Sequence, residues 1–280
     1  MSTLLVGFDS AWTSINAGAV VGVLRLDDGT YRELGPPAAA SYADAERILL
    51  QWQADLRPSN TIVLLDQPTV VRNHSGQRPV ENIVASPVSL RFGGVQPANT
   101  SRQGMFGADA PVWRFLSHFC GVPDPLIPGA GTRVFETYPA LMLISLGWTL
   151  PGYRPTGRLP KYNPERRRTF LLSDWQYVCK LIADSLNERG LQDLGRWTEL
   201  AGEHPHPQKR DQDGLDGCLC LLAALHLIEQ RDCLMVGDID TGYIIVPHGD
   251  ALLRELETRC IRTKRNSSNW VRKFRLQTSA

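Results

Sequence analysis

LLVGFDSAW, Leu4 to Trp12, runs five apolar or glycine residues straight into an aspartate. The run reads as a buried strand, and a carboxylate at its end is costly unless something satisfies it. Asp9 therefore has one of two uses. It ends the strand by bonding to loop amides, or it faces a cation.

The neighbouring sequence supplies the rest of a sheet. AGAVVGVLRLDD follows after the polar stretch AWTSIN, so the two apolar runs read as a hairpin closed by the turn signal DDG, with a third short strand near TYREL. YADAERILLQWQADL places Ile48, Leu49, Trp52 and Leu56 at helical spacing, and TIVLLDQP returns as a strand. The opening order is thus β, β, β, α, β. Residues 68–112 are rich in Gly, Pro, Asn, Ser, Gln and Arg and are longer than a connector requires, which predicts an insertion over a site. TRVFETYPA reads as a strand running into the helix LMLISLGW. NPERRRTFLLSDWQYVCKLIADSLNERG reads as a long helix with Asn163 as N-cap, Pro164 at the first helical position and Gly190 as its stop. DQDGLDGCLCLLAALHLIEQR reads as a buried helix, and CLMVGDIDTGYIIVP as a late hairpin.

Composition bounds the class. The 280 residues are 42% hydrophobic and 21% charged, enough for one sizeable core. The longest apolar-leaning segment, Cys218 to Ile228, is too short to span a membrane, and the start of the chain lacks a basic region followed by an apolar one. Six cysteines without a CxxC pair suggest reduced thiols and a cytoplasmic protein rather than a zinc knuckle or a disulfide framework. The net charge of +1 conceals an uneven distribution, because residues 258–280 carry seven Lys or Arg and no acid. That segment reads as a basic C-terminal tail beyond a domain of residues 1–257, either solvated or drawn to a polyanion.

Four of the expected elements deliver a carboxylate at an end: Asp9 after the first strand, Asp66 after TIVLL, Glu136 within VFETYP, and Asp213 with Asp216 at the start of the buried helix. Ligands of open α/β sheets collect at the carboxyl ends of the strands. Asp213 and Asp216 stand three apart and can share a helix face. Converging carboxylates repel unless a cation sits among them, and Mg²⁺ or Mn²⁺ answers that need with oxygen ligands and retained water. Two such ions activate a water and stabilise the leaving oxygen of a phosphodiester. Four of the acids also have a local explanation: Asp9 and Asp66 as strand ends bonded to loop amides, Asp213 as an N-cap, and Asp216 as a first-turn acid favoured by the helix dipole. Glu136, between Phe135 and Tyr138, lacks one.

GFDSAW, LLDQP, VFETYPA, KYNPERR and DGLDGCLCLLAAL together resemble the DUF429 family of predicted nucleases, over about Leu4 to Glu229. The resemblance implies a ribonuclease H-like α/β fold: a mixed five-stranded sheet with flanking helices, an insertion at about 68–112 and a helical addition at about 160–205. It implies a Mg²⁺- or Mn²⁺-dependent nuclease acting on nucleic acid, DNA or RNA. Asp9, Asp66 and Asp216, with Asp213 or Glu136, would hold the metal.

Lys161 and Arg166 lie before and in the expected first turn of the long helix and suit a phosphate, although three consecutive arginines cannot all face one way. Arg78 and Glu81 also fit the family's pattern, and a mutual ion pair fixing the loop accounts for them equally well. Tyr138 and Tyr162 can stack on bases or pack against a helix. His74, His118, His204, His206, His226 and His248 show no ligand spacing and read as structural. Two other functions compete. An actin-like or sugar-kinase-type ATP-using enzyme needs a glycine-rich turn after the first strand, where this chain has DSAWTSIN. A non-catalytic nucleic-acid-binding module would keep the fold without the chemistry.

Overall fold

Side chains alternate across a strand, so a strand that is apolar at every position must be covered on both faces. In the computed structural model, which describes residues 1–86, 94–119 and 124–277, β1 (Thr3–Asp9) is such a strand, with all seven residues buried. It is followed by β2 (Gly18–Arg25), β3 (Tyr31–Glu33), β4 (Ala38–Ala40), α1 (Tyr42–Leu56) and β5 (Asn60–Leu65). Then come α2 (Pro79–Val84), α3 (Gln103–Phe106), α4 (Pro111–His118), β6 (Gly131–Glu136) and α5 (Pro139–Ser145). The chain continues through α6 (Leu172–Asn187), α7 (Gln192–Glu203), α8 (Lys209–Ile228), β7 (Cys233–Asp238) and β8 (Gly242–Pro247). It closes with α9 (Asp250–Arg262), α10 (Ser267–Trp270) and β9 (Val271–Phe274).

The protein is α/β. Its main sheet is six-stranded and mixed, in the order β3, β2, β1, β5, β6, with the short β4 pairing on β2. β1 is antiparallel to β2 and parallel to β5, and β5 is parallel to β6. Leu4, Val6 and Phe8 pack on the face covered by α1 and α4, whereas Leu5 belongs to the larger core on the α8 side. By the same alternation Gly7 and Asp9 face α8. A Cβ on Gly7 would lie 2.1 Å from the carbonyl oxygen of Gly217 and 2.4 Å from the backbone nitrogen of Leu221. The sheet and α8 thus meet backbone to backbone at that point. Gly7→Ala is expected to cost about 2–3 kcal/mol, the upper range for overpacking, since main chain must move. Urea unfolding checks this, and an unchanged midpoint would show that α8 can slide.

α1 begins where the sequence places it. Ser41 accepts from the Asp44 backbone and the Asp44 carboxylate accepts from Ser41, a reciprocal cap. The long helix does not begin at Asn163. It starts at Leu172, and residues 164–169 form turns instead. NPERRRT offers no apolar face to bury, and Asp174 locks the preceding loop by accepting from the Lys161 amide at 2.8 Å and from Arg158 at 2.7 Å. Gly190 takes the left-handed conformation, φ 76°, just past the helix end. The expected helical addition is two helices, α6 and α7, packed on each other.

The basic C-terminal segment is not a tail. Residues 258–262 complete α9, whose Leu252, Leu256 and Cys260 are buried at helical spacing, and β9 pairs antiparallel with β7 in a second sheet ordered β8, β7, β9. Val271, Phe274 and Leu276 join the main core. The seven cations conceal these apolar positions from a count of charge, and the core does not stop at residue 257. Among the described residues no helix is long and apolar enough to cross a membrane, and the five described cysteines are buried and unpaired with one another.

Candidate functional site

Parallel pairing sets the floor of the site. The Asp66 amide donates to the Phe8 carbonyl at 2.9 Å, continuing the β1 to β5 ladder by one step, so Asp9 and Asp66 leave adjacent strands side by side. The loops behind them are stitched together. The Ser10 hydroxyl donates to Gln67 at 2.6 Å, Trp12 Nε1 donates to the Asp66 carbonyl at 2.9 Å, and the Tyr42 hydroxyl also bonds Gln67. Trp12 holds a left-handed backbone, φ 61°, which costs a non-glycine residue about 1–2 kcal/mol.

α8 contributes from the opposite side. Its first turn is capped by Gln208 and Asp211, so neither Asp213 nor Asp216 is an N-cap or a first-turn acid. Lys209, Gln212, Asp213 and Asp216 follow the spacing i, i+3, i+4, i+7 and form one stripe toward the sheet. Lys209 is ion-paired with Asp213. Asp216 accepts from the Tyr162 hydroxyl at 2.7 Å and from Gln212 Nε2 at 2.9 Å. Asp9 lies within hydrogen-bonding reach of both Asp66 and Asp213.

Burial and mutual repulsion act together on these acids. Burial first, then Asp216, Asp66 and Asp213, push Asp9 well above the usual carboxylate range, and Lys209 opposes them. Asp66 is raised by burial, then by Asp216 and Glu136. Asp216 is raised to about 6, mainly by burial, against the bonds from Tyr162 and Gln212. Burial would lower Lys209, but the Asp213 carboxylate overrides it and keeps the ammonium charged.

A carboxyl whose folded pKa is raised stabilises the fold fully below its unfolded value and loses that contribution as pH climbs through the folded value. For Asp216 the window runs from the ordinary 3.8 to about 6. In EDTA the unfolding midpoint is expected to fall across that window. Asp216→Asn should flatten the slope, and an identical slope in the variant would refute the assignment.

A cavity of about 330 Å³ stands above the acids, and Lys161, Tyr162, Arg166 and Lys209 line it together with Asp9, Trp12, Asp66, Tyr138, Gln212 and Asp216. Lys161 and Arg166 therefore reach the site, but from a loop and a turn rather than from a helix start. Gly94, Gln96 and Met105 bring part of the 68–112 insertion to its wall.

Arg78 and Glu136 do not join it as expected. Arg78 is 1% exposed and holds Glu136 in a bidentate pair, 2.6 and 2.9 Å, while its Nε bonds Glu81 at 2.7 Å. Glu136 also accepts from the Thr69 amide, and Glu81 from the Ala98 amide. The triad ties three parts of the insertion to the end of β6. That is the structural reason for Glu136, and it removes Arg78 from substrate contact and Glu136 from metal ligation.

Among the described residues no three carboxylate, imidazole or thiolate groups are arranged to hold one metal ion. The four aspartates are not a single cage, because Lys209 engages Asp213 while Tyr162 and Gln212 engage Asp216. What remains is the pair Asp9 and Asp66, hard oxygen donors whose charge is opposed by burial and by the neighbouring acids. Mg²⁺ takes one or two carboxylates and fills its other positions with water and substrate phosphate, so this pair fits such an ion.

Lys209 and Gln212 escaped notice in the sequence, although their spacing from Asp213 and Asp216 carried the signal. Trp12 entered there only as part of DSAWTSIN, the turn that lacks the glycines of a phosphate loop. No family model matches the chain, and no curated protein or solved structure matches it.

Proposed function

We propose that this protein is a nuclease of ribonuclease H-like fold that hydrolyses phosphodiester bonds with Mg²⁺ or Mn²⁺. One observation carries the reading: Asp9, Asp66 and Asp216, from two adjacent parallel strands and the helix across from them, line one cavity with the cationic Lys161 and Arg166. The strand order β3, β2, β1, β5, β6, with the first three antiparallel and the last three parallel, agrees with that fold. The family resemblance rests on the sequence motifs alone.

Asp9 and Asp66 would hold the ion, which when bound supplies Lewis-acid activation of water and charge on the phosphate. Lys161 and Arg166 would bind phosphate oxygens as point charge and fork. Tyr162 and Gln212 fix the Asp216 carboxylate against rotation.

Lys209 favours a second reading. Its ammonium already neutralises part of the acid cluster, as a non-catalytic nucleic-acid-binding module would require. Thermal unfolding with Mn²⁺ and with EDTA separates the two. A ligand that binds only the folded state stabilises it by about 2.7 kcal/mol at one hundred times its Kd. The wild-type midpoint should rise with Mn²⁺ and that of Asp66→Asn should not. A flat wild-type response would leave the binding module as the better account.

A further inference from the structure

Three of the four aspartates of this site are nearly sealed, and Asp66 is half-buried. Asp9 is 7% exposed, Asp213 3% and Asp216 6%. The way to them is the cavity, and it is walled from several sides: by Trp12, by Gly94, Gln96 and Met105 of the insertion, by Tyr138 to Ala140 at the start of α5, and by parts of residues 159–169. A base reaches the Trp12 wall of this cavity only once it has left a stacked duplex, as it has at the end of a single strand. The volume, about 330 Å³, falls at the small end of the range for small-molecule sites.

Two further observations ask for a ligand there. Gln212 is 8% exposed and lines the cavity, and its Oε1 is buried without a hydrogen-bond partner while its Nε2 is spent on Asp216. Buried acceptors in native proteins are almost always satisfied, so this one suits a donor brought from outside, such as a sugar hydroxyl or a base N–H. Trp12 keeps its left-handed backbone at the cavity wall, its Nε1 pinned to the Asp66 carbonyl and its ring edge-on to Phe106 at 5.6 Å. Strain of this kind persists where function holds it, and a fixed indole is a stacking surface for a base.

We infer that the cavity holds one nucleotide unit, taken from the end of a single strand, with its base against Trp12, a donor on Gln212 Oε1 and its phosphate toward Arg166. This deepens the nuclease reading and rests on it for the chemistry. Water's oxygen bonds to phosphorus, the bond from phosphorus to the neighbouring sugar oxygen breaks, and the water proton ends on that leaving oxygen. The products are a nucleoside monophosphate and a shortened strand.

A linear single-stranded oligonucleotide and its covalently closed circle, each as DNA and as RNA, test this in Mn²⁺. The linear form should yield mononucleotides at least about 10-fold faster than the circle is opened. A circle cut as fast as the linear strand overturns the inference and leaves hydrolysis standing. Calorimetric titration with adenosine and cytidine 5′-monophosphates in Mg²⁺ gives a second readout. Wild type should bind, and Gln212→Leu and Arg166→Ala should each weaken binding about 10-fold; Arg166 is exposed, so its variant keeps the fold. Mononucleotide binding without cleavage of either polymer supports the pocket and retracts the nuclease reading. A wild type that binds no mononucleotide overturns the inference.

Discussion

Asp9→Asn should abolish Mn²⁺-dependent cleavage, by at least about 10³-fold in kcat/KM, and at the same time raise the unfolding midpoint in EDTA. The two effects have one origin. Asp9 sits within reach of Asp66 and Asp213, and burial together with Asp216, Asp66 and Asp213 opposes its charge. An asparagine keeps the shape and removes one of the repelling charges, so the metal-free fold gains stability, by a few degrees of midpoint. On the proposed reading cleavage moves the other way, because a bound ion would keep only Asp66 of its two carboxylate ligands. Losing about 4 kcal/mol of transition-state stabilisation corresponds to that rate. Stability and activity traded at one residue mark a functional site, whereas a structural aspartate would lose stability when neutralised. Equal cleavage by Asp9→Asn and wild type would end the proposed role.

Arg78→Met is expected to destabilise the fold by about 3–5 kcal/mol, the range for removing one partner of a buried ion pair. Burial alone would lower the guanidinium's affinity for its proton, and the Glu136 and Glu81 carboxylates overturn that and keep it charged. Without it two carboxylates remain in a dry interior, and the Val70 carbonyl loses its donor at 3.0 Å. The penalty arises from the abandoned charges, so it should be partly reversible. Adding Glu81→Gln and Glu136→Gln to Arg78→Met should recover a large share of the loss, measured by urea unfolding of the single and triple variants. A triple variant less stable than the single one would show that packing of the arginine stem, rather than charge, dominates.

The main sheet was legible because its signals are local. Continuous apolar runs at β1 and β5, the turn signal after β2 and the helical spacing of Ile48, Leu49, Trp52 and Leu56 in α1 are each decided within a few residues. The elements missed depend on distant partners. Residues 163–169 contain an N-cap and a proline suited to a helix, but a helix also needs an apolar face to bury, and three arginines supply none. β9 is only a strand because β7 lies beside it. The site shows the same division. Asp9 and Asp66 announce themselves as acids ending apolar segments, and Asp216 as an acid opening one. Glu136 looked equivalent in sequence, and only the position of Arg78, fifty-eight residues earlier, separates it from them. Lys209 and Gln212 went unread because a lysine and a glutamine at the solvent-facing start of a helix are ordinary until the sheet beneath them is known to carry acids.

The contact between Gly7 and Gly217 bears on how this site can change over time. Where a strand and a helix touch through side chains, each substitution at the contact resets the gap, and whatever the two elements carry drifts with it. Here the gap is fixed by main-chain atoms. Mutations elsewhere can remodel the insertion, the arginine turn or the cavity walls, and the span from Asp9 to Asp216 will not follow. The arrangement separates two kinds of inheritance: an acid cluster held at constant calibre, and a surrounding wall free to change.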